Sequence, residues 1–156
     1  SAVWFCRNRH AVENLKFLQG DAENLPVTDS SLDAVINVES CHHYPDLGVF
    51  LNEVYRALKP GGSLYLTDYR DAHELDNFHR HIQNSPFEVV LKEDVTANVV
   101  VALDRDDSDK RKLIEGTVPR LWRGIIEHFA AVKGSDIYKR FVARRMIYES
   151  YELRKL

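Results

Sequence analysis

Leu32-Asp33-Ala34-Val35-Ile36-Asn37-Val38 is the stretch on which the fold turns. It is apolar on both faces and rich in branched residues, the pattern of a strand covered on both sides in a parallel sheet. Downstream, Pro45-Asp46 opens a helix on which Leu47, Phe50, Leu51, Val54, Tyr55 and Leu58 recur with helical spacing. Lys59-Pro60-Gly61-Gly62 stops it, because proline cannot continue a helix and glycine accepts left-handed turns. Ser63 to Tyr69 alternates as a further strand. Upstream, Leu15 to Leu18 is a short apolar stretch ended by the turn signal Gly20-Asp21, and it reads as a strand.

Beyond Tyr69 the pattern continues. Asp71 to Asn84 reads as a helix broken by Ser85-Pro86, and Phe87 to Lys92 as a strand. Val95 to Leu103 reads as a helix. Val118, Leu121, Trp122, Ile125 and Phe129 form another helical stripe, ended by Gly134 and expected to be core. Arg145 to Leu153 closes the chain as a strand. Strands alternating with helices argue for an α/β protein with a parallel sheet and right-handed crossovers. Ligands in such sheets sit beyond the carboxyl ends of the strands. Three segments therefore stand at the expected mouth: Gly20 to Glu23, Asn37 to Tyr44, and Asp68-Tyr69-Arg70.

The 156 residues suffice for one domain with a real core, and no repeat or linker divides them. Apolar residues are 44% and the formal charge is −3, which makes nucleic acid a poor partner, since phosphate binding runs on clustered Lys and Arg. No apolar run has the length of a transmembrane segment. The two cysteines, Cys6 and Cys41, exclude a disulfide scaffold and favour a reducing, cytoplasmic compartment.

Three motifs carry a resemblance. Gly20-Asp21-Ala22-Glu23-Asn24-Leu25-Pro26, Leu32-Asp33-Ala34-Val35 and Leu58-Lys59-Pro60-Gly61-Gly62, in this order and spacing, resemble Rossmann-like (class I) S-adenosylmethionine-dependent methyltransferases. Asn37-Val38-Glu39-Ser40-Cys41-His42-His43-Tyr44-Pro45 is similar to the corresponding segment of lipid methyltransferases. The phthiotriolone-type O-methyltransferases stand nearest, then the sterol C24-methyltransferases. The specific resemblance runs from about Phe17 to Arg70 and is diffuse afterwards.

The resemblance implies S-adenosyl-L-methionine as cofactor and a lipid-like small-molecule acceptor, methylated at a hydroxyl or at a sterol or alkene carbon. It implies that Asp21 accepts a hydrogen bond from the adenine amino group and that the Ala22 backbone meets the adenine ring. Asn37 and Val38 would contact the methionine part of the cofactor. Glu39, His42 and His43 would lie between cofactor and acceptor as catalytic candidates. The phthiotriolone type places its histidine at the position of His42 and the sterol type at that of His43, and this sequence has both. Histidine titrates near neutrality and suits a base for an alcohol. A carbon acceptor passes through a cation, which Glu39 or the faces of Tyr44 and Tyr69 could stabilise.

One departure is large. The family's glycine-rich loop and the acid that holds the ribose have no counterpart, and no G-x-G occurs anywhere. Val3 to His10 resembles the helix after the family's second strand. The expectation is a single, N-terminally truncated methyltransferase domain over residues 1–156. Its Rossmann-like sheet would be incomplete, with the first two strands absent and the last strand antiparallel. The alternative is a non-catalytic methyltransferase-like module that binds lipid or a partner. A nicotinamide dinucleotide binder would share the fold but lacks GxGxxG.

The blander readings are set beside these. Asp21 is good turn chemistry, and His42-His43 could be a solvated pair. Cys41 reads as a small buried filler. His79 and His81 diverge on a helix, so no metal is expected. Asp104, Asp106, Ser108 and Glu115 mimic a calcium loop without its glycine and read as a solvated acidic turn. The Trp122 stripe, if not core, could line a lipid tunnel.

Overall fold

The computed structural model describes every residue except 11 and 130, and of residues 127–129 the backbone alone. The order is α1 (Ala2–Arg9), β1 (Leu32–Val38), α2 (Leu47–Ala57), β2 (Leu58–Asp71), α3 (Leu75–Gln83), β3 (Glu88–Asp94), α4 (Thr96–Thr117), α5 (Arg123–Phe129), α6 (Asp136–Val142) and β4 (Met146–Arg154). A 3-10 turn, Cys41–His43, sits between β1 and α2, and another, Arg120–Trp122, leads into α5.

The four strands form one mixed sheet in the order β1-β2-β4-β3. β1 runs parallel to β2, with Asn37 opposite Leu66 and Val38 opposite Thr67. β4 is antiparallel to both β2 and β3, as expected for the last strand. The α/β class is thus observed, with a mixed four-stranded sheet among the described residues.

Side-chain alternation sets the layers. Leu64 and Leu66 of β2 and Tyr151 and Leu153 of β4 point to one face and are buried there with Phe50, Leu51 and Val54 of α2 and Phe78 and Ile82 of α3. A second cluster joins Phe141, Met146 and Tyr148 to Val99 and Leu103 of α4 and Ile137 of α6. α2 follows its apolar stripe, and Asp46 caps it by accepting from the N–H groups of Gly48 and Val49. The stop after α2 is also the start of β2. Gly61 takes φ +80°, and a Cβ on Gly62 would lie 2.9 Å from the Asp33 carbonyl oxygen. Glycine there lets β2 close on β1.

Four expectations are corrected. Leu15 to Leu18 is not a strand, and both leucines are exposed; a short extended segment without a strand to pair with gains no ladder to hold it. β1 is covered on one side only. Asn37 is buried, but Ile36 and Val38 stand 75% and 57% exposed on the opposite face, and Tyr65 beside Ile36 on β2 is exposed with them, so among the described residues that face has no covering layer there. The Trp122 stripe is helical but not core: Leu121, Trp122 and Ile125 are exposed, and the Phe129 side chain lies outside the described residues. The acidic stretch around Asp104 lies within α4 rather than in a turn. Helix α6 was not anticipated from the sequence.

Candidate active site

At the carboxyl ends of β1 and β2 the chain builds a polar cluster around Asp68. Asp68 continues the row Leu64, Leu66 on β2, so it stands where a third apolar side chain would, and it is 1% exposed. A buried carboxylate needs partners, and the turn after β1 supplies them. Asp68 Oδ1 accepts from His42 Nδ1 at 2.7 Å and from the Tyr69 N–H at 2.8 Å. Its Oδ2 accepts from the His42 N–H at 2.9 Å and from Cys41 Sγ at 3.0 Å, with Arg70 Nη1 at 3.3 Å. Burial pushes the Asp68 carboxyl up, but hydrogen bonds from Cys41 and His42 and the Arg70 charge outweigh it and hold the group below its ordinary value.

This pairing orients His42. With Nδ1–H given to the carboxylate, the neutral ring carries its lone pair on Nε2. Tyr69 Oη lies 3.2 Å from Nε2 and donates to it. Burial, then the charges of Asp68 and Glu39, keep the Tyr69 phenol above its ordinary pKa, so it remains a donor at neutral pH. His42 and Tyr69 border a cavity of about 650 Å³ whose walls also include Tyr44, Arg70, Phe78 and Arg140.

Each predicted residue has a place. Glu39 turns the chain off β1 with φ +47°, a strained value for a residue with a side chain. Its N–H continues the sheet ladder to the Thr67 carbonyl at 3.0 Å, and its Oε1 accepts from Tyr148 Oη at 2.8 Å. Burial and that carboxylate push the Tyr148 phenol far up. His43 is exposed, with its ring against His42 at 3.9 Å between centroids. Asn37 is buried. Its Nδ2 donates to Tyr44 Oη at 2.9 Å, while its Oδ1 has no partner. Val38 is exposed on the sheet edge. Cys41 is buried and its thiol is pushed up to about 12, first by burial and then by Asp68, so it is no nucleophile.

Asp21 is exposed. Its Oδ1 accepts from the Glu23 N–H at 3.0 Å, closing a turn. Ala22 packs partly buried against the main core. The turn is fixed to α2: Glu23 Oε1 accepts from the Asp46 N–H at 2.7 Å, and Arg56 holds the Leu25 and Val27 carbonyls. Thus the 21–29 loop and the His42 turn are both tied to α2, the latter through its N-terminus. Of the other histidines, His79 pairs with Glu149 at 2.8 Å, and His73 and His81 lie in the cavity wall.

The sequence reading has Tyr69 only as an aromatic face for a cation and Asp68 only within a segment expected at the mouth, and it does not include Tyr148 among the site residues. One signal was available for Asp68: an acid where the strand's buried row calls for an apolar residue. Tyr148 reaches Glu39 from the far end of the chain, and no local pattern announces that.

Comparison with known proteins follows this geometry. A family model described as a methyltransferase domain matches residues 2–66. The fatty-acid O-methyltransferase of Mycolicibacterium smegmatis is 35% identical over 129 residues, 83% of this chain and 47% of that protein. The phthiotriol/phenolphthiotriol dimycocerosates methyltransferase of Mycobacterium leprae is 30% identical over 155 residues, 99% of this chain and 57% of that protein. The likeness therefore extends well past Arg70. The chain spans about half the length of these curated relatives. Among solved structures, geranyl diphosphate C-methyltransferase from Streptomyces coelicolor superposes with a TM-score of 0.64 at 14% identity, covering 98% of this chain and 59% of that one, which speaks to the fold alone. In sequence this chain is thus similar to a methyltransferase domain and to curated methyltransferases named for fatty-acid and phthiotriol dimycocerosate substrates, and in fold it is similar to solved methyltransferases.

Proposed function

We propose that this chain is the C-terminal part of a single methyltransferase domain that transfers a methyl group from S-adenosylmethionine to a hydroxyl of a lipid-like acceptor, with His42 as the base. The observation that carries the reading is the His42–Asp68 pair. It holds Nε2 as a proton acceptor at the edge of a large cavity beside an aromatic cluster. An alcohol needs such a base within hydrogen-bond reach, and a histidine oriented by a buried carboxylate suits the task. His43 is exposed and Glu39 is engaged by Tyr148, so neither competes for that role.

The residues present fit one side of the cofactor. The Asn37 Oδ1, buried and lacking a donor, suits the ammonium of a methionine moiety. Asp21 offers an exposed carboxylate for an adenine amino group, next to the Ala22 backbone. When bound, S-adenosylmethionine supplies the electrophilic methyl group. His42 takes the acceptor proton at Nε2, and Asp68 holds the ring and stabilises the resulting imidazolium. Tyr69 must yield its hydrogen bond to Nε2 as the acceptor hydroxyl arrives. Cys6 and Cys41 are both unpaired, which suits a reducing, cytoplasmic setting. Among the described residues no helix is long and apolar enough to cross a membrane.

A second reading, a non-catalytic module that binds lipid or protein, fits the hydrogen bond that Tyr69 Oη already makes to His42 Nε2. Methyl transfer by the full-length protein to a long-chain secondary alcohol, followed with labelled methyl donor, separates the two. Turnover lost in His42→Ala supports the enzyme. Donor binding without turnover on any alcohol, carboxylic acid or alkene lipid supports the module.

A further inference from the structure

The lone pair that a base must offer at His42 Nε2 is already engaged, because Tyr69 Oη lies 3.2 Å away and donates to it. The other bond of the same ring, from Nδ1 to Asp68 at 2.7 Å, is short and charge-assisted. The Tyr69 bond is the weaker of the two, so it is where the ring opens. Elsewhere the ring is nearly covered. The His42 side chain is 14% exposed, with the His43 ring at 3.9 Å and the Tyr69 ring at 4.5 Å between centroids.

Tyr69 is braced in that place. Phe141 of α6 meets its ring edge-on at 6.1 Å, and Tyr148 lies at 6.2 Å, itself fixed by its bond to Glu39. Helix α6 also supplies Ile137 and Arg140 to the cavity wall. A long acceptor lying along that wall therefore bears on the helix that braces Tyr69, and a water molecule does not.

The chemistry gives this arrangement a use. A base beside a sulfonium methyl group can activate water as well as an alcohol. The water oxygen would then bond the methyl carbon, the carbon–sulfur electron pair would stay on sulfur, and the water proton would pass to Nε2. Methanol and S-adenosylhomocysteine would be released with no acceptor methylated, a side reaction that a site of this kind must suppress.

We propose that Tyr69 guards the base: its hydroxyl caps His42 Nε2 until the hydroxyl of a cavity-filling acceptor displaces it, so that water is not methylated while the acceptor is absent. The inference rests on the methyl-transfer reading of His42, and it assigns to Tyr69 the selection of acceptor over water, exerted through His42.

The test has two arms on the full-length protein, each comparing wild type with Tyr69→Phe, which keeps the ring that packs against Phe141. Diethyl pyrocarbonate attacks the imidazole lone pair, and peptide mapping separates His42 from His43. Tyr69→Phe should raise the His42 rate about fivefold, the worth of one neutral hydrogen bond, and leave the exposed His43 unchanged. With methyl-labelled S-adenosylmethionine and no acceptor, Tyr69→Phe should release labelled methanol about fivefold faster than wild type. His42→Ala in the Tyr69→Phe background should bring that release back to the wild-type level or below. An unchanged ratio of His42 to His43 labelling overturns the cap. A raised ratio with methanol release at the wild-type rate overturns the guarding role. Failure of the methyl-transfer reading looks different: His42→Ala then turns over an alcohol at the wild-type rate while diethyl pyrocarbonate still meets a capped His42, and the guard falls with that reading.

Discussion

His42 Nδ1 lies 2.7 Å from Asp68 Oδ1, and Asp68 is buried at the end of the strand beside the one that feeds the His42 turn. The carboxyl is held below its ordinary pKa, so in the window between the folded and unfolded values the folded chain binds fewer protons than the unfolded one. Its stabilisation is therefore present above the unfolded pKa, about 4, and lost as pH falls through the lower folded value. Asp68→Asn should flatten the acid limb of stability in urea titrations across pH. It should also destabilise by about 3–5 kcal/mol at neutral pH, because Arg70 is left without its buried partner. An unchanged acid limb contradicts the role assigned to Asp68.

Cys41 should resist alkylation. Its thiol is pushed up to about 12 by burial and the Asp68 carboxylate, whereas Cys6 is only partly buried. Iodoacetamide at mildly basic pH should label Cys6 in the native protein and Cys41 only in urea, as peptide mapping will read. Labelling of both at one rate in the native state argues against the packing around Asp68.

Asp21→Ala in the full-length protein should weaken S-adenosylmethionine binding by about 1.5–3 kcal/mol while leaving the chemical step nearly intact. Asp21 is exposed, so the change should barely alter stability. Calorimetry and single-turnover rates together check this; unaltered affinity reduces Asp21 to the turn residue its bond to the Glu23 N–H already makes it.

Ile36→Lys should raise the solubility of the isolated chain without loss of stability. The Ile36 side chain is 75% exposed on a strand with one open edge, and such an edge templates aggregation unless charged. Light scattering of the two proteins at matched concentration is the measurement. Equal aggregation shows that another surface is responsible.

What was legible in the sequence divides along physical lines. β1 and α2 were readable because their periods, two and 3.6, are local consequences of burial. The mixed sheet with an antiparallel last strand came through the resemblance. Leu15 to Leu18 misled because a strand exists only with a partner, and apolar content cannot report one. Trp122 misled because helical spacing shows which side chains share a face, not what covers that face. α6 has seven residues, too short for its pattern to stand out. At the site, His42 was legible from its motif, but its choice over His43 rests on Asp68, 26 positions away.

The central claim is that His42, oriented by Asp68, removes the acceptor proton. It is tested most directly by single-turnover methyl transfer in the full-length protein across pH, with cofactor saturating, for His42→Ala, His43→Ala and Glu39→Gln. His42→Ala should lower the rate by roughly 100-fold, while His43→Ala stays within a few-fold. A His42→Ala rate equal to wild type, or a larger loss in Glu39→Gln than in His42→Ala, contradicts the account and points to a carbon acceptor or to a turn without catalytic work.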